Sequence, residues 1–196
     1  MIRFSANSIT SLSYDLTLVE ALFRLGARPP VVCAVCQVGK KTAIRIYKTL
    51  HQRSPKQGML PYDPYWIVRS SVNNIHAAIF LGLVHDLSQP HSQPAFNAEQ
   101  FITAYELYCR VVSSNPHPSK LEAGAGVAES ILLDINRAWQ LAGQLNSSEM
   151  GLAICEKCHA RYVVLNKMPQ PFHQCPICDV WADRTGRRRW TTVKTQ

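Results

Sequence analysis

Cys155-Glu156-Lys157-Cys158 and Cys175-Pro176-Ile177-Cys178, two cysteine pairs sixteen residues apart, decide how this chain is read. Each C-x-x-C turn aims two sulfurs at one point, and two such turns at this separation have zinc-ribbon spacing. Four soft thiolates close a tetrahedron and leave no position for water, so the implied site is structural rather than catalytic. Between the pairs, Ala160 to Leu165 can run out as a short strand, and Met168-Pro169-Gln170-Pro171 can turn the chain back. The expected ligands are therefore Cys155, Cys158, Cys175 and Cys178 around one Zn2+ per chain, stapling a segment too small to hold a core of its own. His159 and His173 flank the pairs, but four cysteines need no further ligand.

Outward from the cysteines, composition sets the scale. A chain of 196 residues with 46% hydrophobic content is long enough for one sizeable core plus a small appendage. Seven cysteines is an odd number, and four are claimed by the metal spacing. No apolar stretch of a secretory leader follows Met1-Ile2-Arg3-Phe4-Ser5, so a reducing cytoplasm is expected. The most apolar run, Ala77 to Val84, is far shorter than the roughly 20 residues that cross a bilayer, and no membrane span is expected.

The rest of the pattern predicts a mainly α fold. Leu12, Leu16, Val19 and Phe23 recur at helical spacing, with Gly26 placed to end the run. Pro29-Pro30 opens a short helix carrying Val31, Val32 and Val35, and Gly39 marks a turn before a helix from Lys40 to Gln52. A long helix is predicted from Trp66 to Leu87. Another follows an Asn97 cap that Gln100 reciprocates, and carries Phe101, Ala104, Tyr105, Tyr108 and Val112. Ser113 to Gly126 reads as a loop, and Val127 to Leu145 as a last helix. His76 falls among apolar residues and reads as a core histidine. The Trp66–Leu87 helix and the helix of Phe101, Tyr105 and Tyr108 offer candidate faces for a partner.

A formal charge of +8 points to a polyanion. Zinc on four thiolates removes two units and leaves +6, still strongly basic. The positive residues are clustered. Lys40, Lys41, Arg45, Lys48, Arg53 and Lys56 follow one another without an acid, and the tail carries Arg184, Arg187, Arg188, Arg189 and Lys194 against Asp183. On the Lys40–Gln52 helix, Lys41, Arg45, Lys48 and Gln52 share one side while Ala43, Ile46, Tyr47 and Leu50 lie opposite. Helix, tight turn and basic amphipathic helix form the outline of a helix-turn-helix reader. Candidate DNA-binding residues are Lys40, Lys41, Thr42, Arg45, Lys48 and Thr49 on the helix, and Arg184, Arg187, Arg188 and Arg189 on the tail. A solvated surface helix fits the same pattern. Gly39-Lys40-Lys41-Thr42 lacks the first glycine and the Ser or Thr of a phosphate loop.

Three stretches together resemble the FlhC family of flagellar transcriptional activators. They are Ile46-Tyr47-Lys48-x-Leu50 running into Ser54-Pro55-x-x-Gly58-Met59-Leu60-Pro61 with Trp66 after it, the Arg137-Ala138-Trp139 helix, and the four terminal cysteines. The resemblance implies a cytoplasmic bacterial protein acting with a second protein, FlhD, in a hetero-oligomer of four FlhD and two FlhC chains. Such a complex binds promoter duplex DNA upstream of flagellar operons and recruits RNA polymerase. The resemblance also implies that the four cysteines are zinc ligands.

The expected organisation is a helical DNA- and partner-binding domain over 1–150 with the helix-turn-helix-like segment near its N-terminus, a zinc-ribbon-like four-cysteine module over 151–182, and a basic tail over 183–196. Cys33-x2-Cys36 departs from the family pattern. A second metal site there needs two more ligands and Cys109 is the one cysteine left, so both read as small, partly buried side chains. His76, His85, Asp86 and His91 form no H-E-x-x-H pairing, and neither a nucleophile elbow nor a glycine-rich phosphate cradle accompanies them, so no enzyme is expected. The competing reading is a zinc-ribbon RNA-binding or adaptor protein whose tail tracks RNA without sequence choice.

Overall fold

The computed structural model describes residues 16–88, 98–114, 133–167 and 175–178, and over these the fold is mainly helical with one small sheet. Helix α1 (residues 16–24) buries Val19, Leu22 and Phe23. It ends in a Schellman closure. Gly26, at φ +89, donates its N–H to Phe23 O, and Ala27 donates to Leu22 O. Only glycine takes that left-handed position without strain. Helix α2 (Pro29–Cys36) starts on its prolines and stops at Gln37, also left-handed at φ 53. Helix α3 (Lys40–His51) follows Gly39 and packs on α2.

The predicted helix from Trp66 to Leu87 is in fact two elements. A 3-10 helix (Pro64–Val68), capped by Asp63, precedes α4 (Ser71–Ser88). Ser70 separates them because it acts as an N-cap: its Oγ accepts from Asn73 N–H at 3.1 Å, and its carbonyl accepts from Asn74 N–H. The apolar period runs through this junction and conceals it.

Helix α5 (Ala98–Ser114) lies against α4. Asn97 lies outside the described residues, and the Gln100 side chain donates to Leu87 O at the end of α4. The last helix, α6 (Ile135–Asn146), begins later than its apolar period predicts. Asp134 caps it by accepting from Asn136 and Arg137 N–H, and residues 127–132 lie outside the described set. After α6 comes a strand that helical spacing did not foresee: β1 (Met150–Ile154) pairs antiparallel with β2 (Arg161–Leu165), Met150 opposite Leu165 and Ile154 opposite Arg161.

Helix α4 is the centre of the core, touching the 3-10 helix, α5, α6 and both strands. Phe80 meets Phe101, Tyr105 and Tyr108 edge-on at centroid distances of 6.1, 6.3 and 6.2 Å. These aromatics are buried, so the α5 face considered for a partner is filled from within the chain. His76 is satisfied by the Tyr108 hydroxyl at 2.7 Å. Met150, Val163 and Leu165 join the same core, so the hairpin draws its packing from the helices as well as from any metal. No described helix is long and apolar enough to cross a membrane.

Candidate functional site

The first cysteine pair sits in the turn of the β hairpin. Strand β1 ends at Ile154 and β2 begins at Arg161, so Cys155 to Ala160 must reverse the chain. The turn is held by Cys155 N–H donating to Ala160 O at 3.0 Å and by His159 N–H donating to Cys155 O at 2.9 Å. His159 takes the left-handed position, φ 56. The second pair is carried by a short helical turn over residues 176–178, where Cys178 N–H points at Cys175 Sγ at 3.4 Å.

All four sulfurs lie within 4.8 Å of one another. Across the pairs, Cys155 Sγ is 4.0 Å from Cys178 Sγ, and Cys158 Sγ is 3.4 Å from Cys175 Sγ. A disulfide needs a separation of about 2.05 Å. Sulfurs about 2.3 Å from a tetrahedral zinc stand about 3.8 Å apart, so the donor set fits a structural metal. Backbone N–H groups of Cys158 and Lys157 lower the Cys155 thiol to about 6. The Cys178 thiol is pushed up to about 12 by its hydrogen-bonded neighbours Cys175 and Cys158, and burial raises Cys175. The turn thus favours one thiolate, while the second pair resists ionising beside it. A bound divalent cation would allow all four to ionise together. Among the described residues, no other group of three or more His, Cys, Asp or Glu side chains converges in this way. Cys33, Cys36 and Cys109 form no disulfide, and burial raises the thiols of Cys33 and Cys109.

The second feature is the cationic side of α3. Lys40, Lys41, Thr42, Arg45, Lys48 and Thr49 are all exposed, while Ala43 is fully buried and Ile46, Tyr47 and Leu50 pack on the core. Tyr47 anchors the helix edge-on against Phe23 at 5.2 Å. Thr49 donates its hydroxyl to Arg45 O, which leaves the hydroxyl oxygen as an acceptor. No acid occupies the first turn of α3, and Lys48 and His51 stand in the last, where positive charge suits the helix dipole. The tail arginines Arg184, Arg187, Arg188 and Arg189 lie outside the described residues.

Two polar side chains that periodicity did not single out hold these features in place. Asn74 on α4 is fully buried and pairs with the backbone of Val163 in β2. Asn136 on α6 accepts from Arg28 N–H at 2.8 Å and donates to Gly26 O at 3.2 Å, tying the α1–α2 connection to α6. The signal available was an amide inside an apolar helical run, a costly placement unless both ends of the amide are bonded.

Residues 4–192 match the family model described as "Flagellar transcriptional activator (FlhC)". Among curated relatives, the "Flagellar transcriptional regulator FlhC" of Nitrosomonas eutropha is 27% identical over 93% of this chain and 87% of its own length. That of Gallionella capsiferriformans is 29% identical over 84% and 82%, and that of Proteus mirabilis 27% identical over 89% and 83%. A match across nearly the whole chain, with helices and a four-cysteine cluster in place, leaves one conclusion: this protein belongs to the FlhC family, which is a family of transcriptional regulators and not of enzymes.

Proposed function

We propose that this chain is the DNA-binding subunit of a transcriptional activator of flagellar operons, acting with FlhD in a complex of four FlhD and two FlhC chains that recruits RNA polymerase. The observation that carries the reading is family membership over residues 4–192. A solvent-facing α3 side with lysines, arginine and threonines and no acid supports the DNA contact. In this reading α2, the turn at 37–39 and α3 act as a helix-turn-helix unit. Lys40, Lys41, Arg45 and Lys48 meet phosphates or guanine edges, and Thr42 and Thr49 meet thymine methyls or phosphates. Arg184, Arg187, Arg188 and Arg189 add affinity along the backbone.

Cys155, Cys158, Cys175 and Cys178 hold one structural Zn2+, which fixes the hairpin turn to the 175–178 segment. The helical unit, the zinc module and the basic tail divide near residues 150 and 182, and the complex works in the bacterial cytoplasm. Co-expression with the FlhD of the same organism, followed by native mass measurement, tests the assembly. Gel shifts with flagellar promoter duplex, random duplex and single-stranded RNA test the ligand. Selective retention of the promoter duplex supports the activator, whereas equal retention of RNA defeats it in favour of an RNA-binding role.

A further inference from the structure

We propose that Arg28 is a positioning residue that holds the segment after α3 so that Arg53 and Lys56 form a second phosphate contact beside the α3 face. The proposal rests on the reading of α3 as a DNA-contacting helix. Residues 54–60 form no helix or strand, so their carbonyls lack ladder partners. The Arg28 guanidinium takes that role. It donates to Met59 O at 2.7 Å, Gly58 O at 2.5 Å and Lys56 O at 3.2 Å. One fork gathering three carbonyls fixes a short loop more tightly than any single bond, because the five donors of Arg have a rigid planar arrangement.

The clamp has a firm base. Asn136 on α6 holds Arg28 N–H and Gly26 O, so the loop is referred to α6 and not to α3 alone. Gly58 stands at φ +106, a conformation that suits glycine and lets the chain curl around the guanidinium.

Charge identifies the occupant. Arg28 is partnered by carbonyls rather than by a carboxylate, so its full positive charge remains. No acid occurs between Glu20 and Asp63, and both Arg53 and Lys56 are exposed. The loop therefore extends the cationic side of α3 along the chain, and a phosphate backbone is the ligand with the complementary charge. Turning the carbonyls toward Arg28 also keeps three partial negative charges away from that ligand.

The test measures fluorescence anisotropy with the full chain in complex with FlhD and a mixed-sequence DNA duplex across a salt series. Arg53→Ala with Lys56→Ala is expected to weaken binding about 30-fold near 0.15 M salt and to lower the salt slope by about 1.8, the counterion release of two phosphate contacts. Arg28→Lys keeps the net charge but loses the fork, and is expected to reproduce most of that loss. In the doubly substituted background it should add nothing, which a merely structural Arg28 would not show. Gly58→Ala is a second route to the same displacement, because no atom lies within 4 Å of an added Cβ and the strain is confined to the loop backbone. Unchanged affinity in the Arg53/Lys56 variant, or an Arg28→Lys loss that persists undiminished in that background, overturns the proposal. Lys41→Ala with Arg45→Ala examines α3 separately: a loss there alone removes the loop contact and leaves the helix reading intact, whereas a loss at Arg53 and Lys56 alone removes the helix reading.

Discussion

Asn74 and Val163 exchange two hydrogen bonds across 89 residues of chain, Asn74 Nδ2 donating to Val163 O at 2.8 Å and Val163 N–H donating to Asn74 Oδ1 at 2.9 Å. The side-chain amide acts as a one-residue strand that completes the open edge of β2. Both residues are fully buried, so water cannot replace either bond. Helix α4 is thereby locked to the hairpin whose turn carries the first cysteine pair.

Asn74→Ala leaves a buried N–H and a buried C=O unpaired, and each such group costs about 1–3 kcal/mol. The variant is expected to lose about 3 kcal/mol of stability, read as a shift in urea midpoint at unchanged slope. A loss below about 1 kcal/mol would mean that the hairpin finds other partners for its edge.

Metal content gives the second prediction. The purified chain should carry one zinc, and Cys155→Ser, Cys158→Ser, Cys175→Ser and Cys178→Ser should each abolish stoichiometric retention. Because thiolates bind and thiols do not, zinc should be released as pH falls, with protons taken up in exchange. Elemental analysis after dialysis against a chelator across pH checks both points; a chain that is metal-free, monodisperse and active in DNA binding refutes the assignment.

Alkaline stability reports on the aromatic core. Burial raises the hydroxyls of both Tyr105 and Tyr108 above the ordinary tyrosine value. Tyr105 donates to Leu133 O, a bond that needs the neutral hydroxyl, whereas Tyr108 accepts from Leu133 N–H, which favours the phenolate and only partly offsets the effect of burial. Their contribution is complete below the unfolded value, about pH 10, and falls as pH rises through the raised folded values. Each tyrosine adds about 1.4 kcal/mol per pH unit to that decline. Tyr105→Phe or Tyr108→Phe should therefore each reduce the slope of stability against pH above 10 by about 1.4 kcal/mol per pH unit, measured by urea titration at several alkaline pH values.

The basic regions should separate by their effect on selectivity. Alanine at Arg187, Arg188 and Arg189 is expected to weaken promoter and random duplex alike and to flatten the salt dependence. Alanine at Arg45 or Lys48 should narrow the gap between the two duplexes, by about 1–3 kcal/mol where a base contact is lost. Competition anisotropy with both duplexes distinguishes these outcomes, and indifference of both sets at every salt concentration would place the DNA contact elsewhere in the complex.

Local signals carried much of the architecture. Gly26 ending α1, Pro29 opening α2 and the two-sided character of α3 follow from glycine's left-handed freedom, proline's missing N–H and a 3.6-residue period. These depend on neighbours within one or two turns. The β2 span and the cysteine spacing were legible for the same reason, and the four sulfurs do converge.

Elsewhere the period was misleading because burial and helix are different things. Ile67 and Phe80 are both buried, yet Ser70 caps a new helix between them. Strand β1 escaped notice because Met150–Ile154 alternates weakly, and its identity depends on β2 pairing with it across the cysteine turn.

By itself the sequence determined a mainly α chain, a four-cysteine cluster, a cationic helix and the family. Only the tertiary structure decided how these are joined: Asn74 on Val163, Asn136 on Arg28, and Arg28 on the loop after α3. Each of those bonds links residues far apart in the chain, and a hydrogen-bond donor does not announce its distant acceptor. The pairing emerges only when burial removes water as the alternative partner.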